Sequence, residues 1–377
     1  MAQTQSLFLN YTEAHYASYI LAKHKKINGL SEGAIKPYLF QQKLDQTYSV
    51  EGNWKTVTGL FKNVLADYVD IDSPAPLKAR GSRGIAEGEI PDISNKYVKS
   101  AKQLRQIRTM IATYATNPDL GADYEKQIIQ ELFRDDANSL QNIYELHEYS
   151  FLKGFSNGVF EVDQDVSNGV TLRADFGYLP KHEFKSDNFT TITVDDINKI
   201  YEQSKADGNT LVEVYIDASA MAKIKKDPSF KEQFAFSKDI VADASKLPNL
   251  TSSKVKEFFK DEWGLTVVTD GVDRTFIAQK DGADTTVKPW AEGVMIFTSS
   301  VKVGSLIWTH TEEYFTPTEA VKYQLVGHVL MSKFGTTDPK SEGTKAETRA
   351  LPVIGAVDGI YRLETVEAEE SSDLPTG

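Results

Sequence analysis

Residues 123–154 read DYEKQIIQELFRDDANSLQNIYELHEYSFLKG, and this stretch decides the fold. Tyr124, Ile128, Leu132, Leu140, Tyr144, His147 and Phe151 recur at helical spacing, and Ile129, Phe133 and Ile143 widen the stripe. The spacing predicts one long helix, capped by Asp123 and broken at Gly154. About 30 residues at about 1.5 Å each make a rod near 45 Å, more than the core of a small globule requires.

Upstream, residues 11–25 place Tyr16, Ile20 and Leu21 at helical spacing and predict a short amphipathic helix in an N-terminal arm, residues 1–50. Residues 51–100 are heavily punctuated, with Ser73-Pro-Ala-Pro76, Gly81-Ser-Arg-Gly84, Gly88 and Pro91. Strand-like Asp67–Asp72 and Ile93–Val98 flank that punctuation and predict a long hairpin with little core of its own. A loop of such length touches something else.

Downstream, Val159–Val162 and Val170–Phe176 predict a hairpin packed on the long helix. Thr193-Val-Asp-Asp196 reads as a capping box opening the helix Ile197–Lys205. The strand Leu211–Ile216, the helices Ala218–Lys226 and Lys254–Glu262, and the strands 265–268, 275–278 and 293–297 follow. Residues 190–300 thus form an α+β or α/β module with its own core. Strand-like 305–309, 323–331, 350–354 and 360–363 are expected to complete the first sheet, not the second. Residues 364–377 carry Glu367, Glu369, Glu370 and Asp373 without apolar periodicity and read as an acidic tail.

Bulk properties bound the function. A chain of 377 residues that is 40% hydrophobic can build two or three compact modules. Acids outnumber bases 54 to 42, a net charge of −12 that disfavours global nucleic-acid affinity. Cysteine is absent, which excludes disulfides, a thiolate nucleophile and Cys-based zinc sites. The N-terminus lacks a leader pattern and no stretch reaches the roughly 18 to 20 apolar residues of a membrane span, so a protein made and retained in a cytoplasm is expected.

Chemistry-bearing motifs are missing. There is no P-loop, no Gly-x-Gly-x-x-Gly after a strand and no Gly-x-Ser-x-Gly elbow. Gly343-Thr-Lys345 reads as a polar turn. His15, His24, His147, His182, His310 and His328 are scattered, with no pair at i, i+4 for zinc, and His147 reads as a core histidine. Asp195 and Asp196 suit a helix N-terminus better than acid–base work. Asp70 and Asp72 suit the solvated edge of a ribbon. Lys96, Lys99, Lys102, Arg105 and Arg108 recur every three residues; on one helix they spiral around the rod, which argues against a nucleic-acid groove.

The order of arm, punctuated ribbon, long helix, inserted module and strand-rich return resembles the tailed-bacteriophage major capsid, or Hong Kong 97-like, fold. Arg83-Gly-Ile-Ala-Glu-Gly-Glu-Ile-Pro91, Asp338-Pro339, Ala350-Leu-Pro-Val353 and Ile360-Tyr-Arg-Leu-Glu-Thr-Val366 resemble the major capsid protein E family within it. The likeness spans roughly residues 50–366. It departs at Ala356-Val357, where the family carries Asn-Pro, and residues 1–50 match no named segment.

The resemblance implies an α+β fold made of an N-terminal arm (1–50), an extended loop (51–100), a peripheral domain with the spine helix (101–185), an axial domain (186–304), a return to the peripheral sheet (305–366) and the tail (367–377). It implies a virion capsid subunit assembled in the host cytoplasm, without catalysis, cofactor, metal or membrane, which forms hexamers and pentamers around double-stranded DNA. Scaffold, portal and decoration proteins would be its other partners. Lys78, Arg80 and Arg83 near the loop tip and Glu87, Glu89 and Asp92 beyond it are the candidates for contacts between subunits, because segregated opposite charges set register. An acidic balance also lets packaged DNA slide. An encapsulin-like nanocompartment and a soluble α/β enzyme with its site in 190–300 are the alternatives.

Overall fold

The computed structural model describes residues 3–30, 36–59, 83–162, 172–186, 190–237, 250–280 and 282–365. In chain order the first elements are β1 (Gln3–Thr4), α1 (Leu9–Ile27), α2 (Leu39–Lys43), β2 (Leu44–Tyr48), β3 (Asn53–Gly59), β4 (Arg83–Glu89), β5 (Asp92–Lys99) and α3 (Ala101–Thr116). Next come the spine helix α4 (Gly121–Asn157), β6 (Val159–Glu161), β7 (Arg173–Asp175), β8 (Glu183–Lys185), α5 (Val194–Ala206), β9 (Glu213–Ile216), α6 (Ala218–Lys226), α7 (Pro228–Ser237) and α8 (Ser252–Trp263). The last are β10 (Thr266–Val268), β11 (Phe276–Lys280), β12 (Ala283–Val287), β13 (Val294–Thr298), β14 (Gly304–Thr309), α9 (Glu312–Phe315), β15 (Lys322–Val326), β16 (Val329–Thr337), β17 (Lys340–Ile354) and β18 (Ile360–Glu364).

Two compact units result: residues 1–54, 88–150 and 305–352 form the first, and residues 55–87, 151–304 and 353–377 the second. The first holds a seven-stranded sheet in the order β1-β16-β17-β14-β2, with β15 on β16 and β5 on β17. Its helices are α1, α2, α3, α9 and the part of α4 up to Ser150. Tyr16, Ile20, Ile128, Leu132, Phe133 and Leu140 are all at 0% exposure, and burying each such side chain contributes about 1.5–3 kcal/mol.

The spine helix has 37 residues, longer than its sequence signals indicate. Gly154 does not break it. Instead the Phe176 ring lies where a Cβ on Gly154 would sit, 2.7 Å from its Cε2, so this glycine admits the β6–β7 hairpin to the helix. The helix stops at Gly158, whose φ of +72° takes the left-handed region and whose N–H bonds to Gly154 O at 2.8 Å.

Several other expectations are corrected. Residues 93–98 pair with β17, Ile93 opposite Thr348 and Val98 opposite Gly343, and the expected hairpin partner 67–72 lies outside the described residues. Gly343-Thr-Lys345 is no turn: it sits mid-strand in β17, where the Phe334 ring leaves no room for a Cβ at Gly343. Lys96 and Lys99 belong to β5 and only Lys102, Arg105 and Arg108 to a helix, because Ser100 and Gln103 close a capping box that starts α3 at Ala101. Leu21 faces solvent at 41% exposure.

The second unit is a mixed five-stranded sheet, β10-β9-β13-β18-β8, with β10 parallel to β9, β18 parallel to β8 and the central pairs antiparallel. Residues 360–363 therefore join this sheet as β18 and do not return to the first. Thr193 and Asp196 form the expected capping box of α5. Helices α5 to α8 share one apolar core with the strands, including Ile197, Ile200, Met221, Phe230, Phe259 and Trp263. Of residues 170–176 the described part pairs as expected, Phe160 opposite Ala174.

Candidate assembly site: the ribbon root and the spine helix

β3 and β4 form a two-stranded ribbon that belongs to neither large sheet. Two strands without a covering helix bury little, and Ile85 is 68% exposed. At its root the ribbon is anchored firmly. Trp54 is buried at 3%, and Gly88 is what lets its indole lie flat, since a Cβ there would meet Nε1 at 2.7 Å.

Arg349 on β17 closes the root. Its Nη2 donates to Glu89 Oε1 and to the Ile90 carbonyl, each at 3.2 Å, and its Nε lies 3.3 Å from Asp92 Oδ1. Gly52, at φ +73°, turns the chain beneath the guanidinium, and the Ile90 N–H bonds to its carbonyl at 3.0 Å. Farther along the ribbon Lys55 Nζ faces Glu87 Oε2 at 3.4 Å.

Glu87, Glu89 and Asp92 thus already have cations within the same chain, although at 59%, 80% and 76% exposure they remain open to a neighbour. Lys78 and Arg80 lie outside the described residues, as does the side chain of Arg83, which opens β4. Sequence reasoning missed Arg349, Trp54 and Gly88. The signal for Gly88 was present, a glycine in a strand that marks close approach of another group.

The N-terminal segment is likewise tied down. Glu342 takes the Ser6 hydroxyl at 2.5 Å and the Leu7 N–H at 2.8 Å, and burial pushes its carboxyl upward. Glu148 on α4 accepts the Leu39 and Phe40 N–H groups, both at 2.9 Å, at the start of α2. Tyr16 packs on Phe133 with ring centres 5.6 Å apart. Residues 3–30 and 36–48 are integral to the first unit, not a projecting arm.

Polar groups on the spine are paired inside. Lys333 Nζ donates to Asp136 Oδ2 at 2.7 Å with both side chains at 1% exposure or less, Thr344 donates to the other oxygen, and Lys99 bonds Asp135. His147 Nε2 meets His328 Nε2 at 3.0 Å among Phe40, Tyr144 and Trp308. The Nδ1 atom of each ring has no hydrogen-bond partner among the described residues. Burial, then His328, drives His147 well below its ordinary value; burial, then His24, brings His328 down to about 4. The pair is a neutral core contact.

In the second unit His182 and Asp207 have the geometry of an acid–base pair, with Nε2 2.9 Å from Oδ2. Yet His182 is 2% exposed, its Nδ1 lies 3.2 Å from the Ile360 carbonyl, and its ring stacks on Tyr361 at 4.0 Å. Burial raises Asp207, and bonds from Gln203, Lys181 and His182 outweigh it and hold the carboxylate well below its usual range. A base with both nitrogens committed abstracts no proton, so the cluster is a fold contact. Asp196 caps α5, as expected of an acid in a first turn. Among the described residues no three metal-ligating side chains converge, and no helix is long and apolar enough to cross a membrane.

The structural neighbours match this architecture. The putative capsid protein of a prophage from E. coli CFT073 superposes with a TM-score of 0.54 at 10% identity, covering 93% of this chain and 99% of its own. A phage-related protein from Bordetella bronchiseptica RB50 gives 0.48 at 12% identity, covering 92% and 96%. The encapsulin of Synechococcus elongatus PCC 7942 gives 0.39 at 11% identity, covering 88% of each chain. No curated protein matches by sequence. The fold is the Hong Kong 97-like capsid fold. Residues 61–365 match the model of phage major capsid protein E, and the chain belongs to that family: it is a head-shell subunit of a bacteriophage.

Proposed function

We propose that copies of this chain join as hexamers and pentamers into an icosahedral shell around double-stranded DNA, assembled in the host cytoplasm on a scaffold and a portal, with decoration proteins as further outer partners and no catalytic step. The observation that carries this reading is the ribbon: pinned at its root by Arg349, Trp54 and Gly88, it extends as two strands that join neither large sheet, with Ile85 in solvent. A neighbour supplies the missing cover. Lys78, Arg80 and Arg83 are the contacts proposed near the tip, and Glu87, Glu89 and Asp92 those nearer the root. Each contact is weak, and a closed shell adds many of them.

The peripheral role falls to the first unit and the axial role to the second, with 360–364 moved into the axial sheet. The test is expression of the full chain with and without scaffold, followed by electron microscopy. Shells or five- and six-fold rosettes are expected. A monodisperse monomer under both conditions overturns the reading, and co-purified protein cargo without DNA redirects it to a nanocompartment.

A further inference from the structure

Helix α3 has no acidic residue among its 16, in a chain of net charge −12. Lys102, Arg105 and Arg108 are exposed on it and have no ion-pair partner among the described residues. The strand-to-helix break at Ser100 changes what their spacing means. Lys99 is buried on Asp135 and Lys96 lies over the Phe334 ring at 5.2 Å, so both leave the series. The three that remain, at i, i+3 and i+6, span an arc of only about 120°, on a side distinct from the buried Leu104 and Ile107.

A second helix extends the same charge. The last turn of α1 carries Lys25 and Lys26, both exposed, and Lys23 just before them, against a single acid, Glu13, in the whole helix. α1 and α3 meet α4 at an open groove of about 470 Å³, to which they contribute Tyr19 and the pair Gln106 and Met110. Lys23 and Lys26 follow Tyr19 by four and seven residues and Lys102 precedes Gln106 by four, so these three lie toward the groove, while Arg105 and Arg108 lie about 120° and 180° around α3 from it. The Lys23 ammonium is pushed below its ordinary value by burial and then by Lys26 beside it, as expected where cations neighbour one another.

We propose that this basic arc of α3 in the first unit, Lys102, Arg105 and Arg108, is the surface that meets the phosphate backbone of enclosed duplex DNA. It rests on the reading of the chain as a genome-enclosing shell subunit, and it assigns this face to the lumen. A complementary acidic stripe on a second copy is the competing partner, and the shells formed by the variant below separate the two. Arg105 and Arg108 supply the planar forks that suit phosphate oxygens. Three neutralised phosphates give a contact that weakens about fortyfold between 50 and 200 mM salt, loose enough for DNA to slide during filling.

The test uses the unassembled full chain, a mixed-sequence duplex of about 30 base pairs and fluorescence anisotropy across that salt range. The wild type should bind with a salt slope near −2.7, and the triple variant Lys102→Glu/Arg105→Glu/Arg108→Glu should lose at least about tenfold in affinity and nearly all of the slope. Its thermal unfolding and its shells should match wild type. Duplex binding unchanged in the variant overturns the proposal. So does a variant that folds normally but forms no shells, because the face then meets a second copy. If wild type forms no shells, the shell reading falls on its own while the duplex titration still decides whether this face binds phosphate.

Discussion

The ribbon and the spine helix were expected to share one property, an excess over what a single molecule's interior needs, and they differ in it completely. Along the spine, Ile128, Leu132, Phe133, Leu140, Ile143, Tyr144, His147, Phe151 and Phe155 are buried by the chain itself, and Asp136 and Glu148 find partners there too. Along the ribbon, the buried residues among those described are Trp54 and Thr56 near the root, with Ile90 just beyond β4, while Ile85, Glu87 and Glu89 are exposed. Length therefore says little about whether an element serves a neighbour. What distinguishes the two is whether a matching apolar face exists elsewhere in the chain.

The sharpest way to break that contrast is Asp136→Ala, which leaves Lys333 charged and enclosed in the spine–sheet contact. A loss of about 3–5 kcal/mol is expected in denaturant unfolding of the subunit, and replacing both residues by Leu and Met should recover most of it. Acid should act on the same region. The folded His328 has its value depressed to about 4 from 6.5, so the stability tied to it is present above 6.5 and is lost as pH falls from 6.5 toward 4. With His147 depressed as well, the slope should approach about 2.7 kcal/mol per pH unit, two protons' worth, in excess of the His147→Phe/His328→Leu variant, measured as denaturant midpoints. An equal slope in both would remove the buried pair from the account.

Smaller effects sharpen the comparison at each end. Gly154→Ala gains about 1 kcal/mol of helix propensity but drives a methyl into the buried Phe176 ring, at a cost of about 1–3 kcal/mol, so a modest net loss in thermal unfolding is expected. Arg349→Ala should cost the isolated subunit less than about 1 kcal/mol, because both carboxylates it holds are exposed. In shell yield, counted by sedimentation, the same change should lose about tenfold or more, since each subunit repeats the defect.

Periodicity alone made the spine legible in the sequence, and the Thr193–Asp196 capping box was legible down to its hydrogen bonds. Gly154 was misread because a glycine admitting a ring and a glycine ending a helix look alike in one dimension; Phe176 decides between them from 22 residues away. β17 hid behind Ser341, Thr344, Lys345, Glu347 and Thr348, polar residues that are tolerated in a buried strand because partners such as Asp136, Glu313, Thr311 and the His328 carbonyl satisfy them. At the assembly site the ribbon acids were legible as charges. Their tie to Arg349 was not, because a partner about 260 residues distant leaves no local pattern.

Amide hydrogen exchange, compared between the unassembled subunit and the closed shell, tests the division of labour most directly. Strand 83–89 should exchange quickly in the subunit and gain strong protection in the shell, while 128–147 of the spine should be protected to the same degree in both. Ribbon amides already protected in the isolated subunit, with no further gain on closure, would contradict the account.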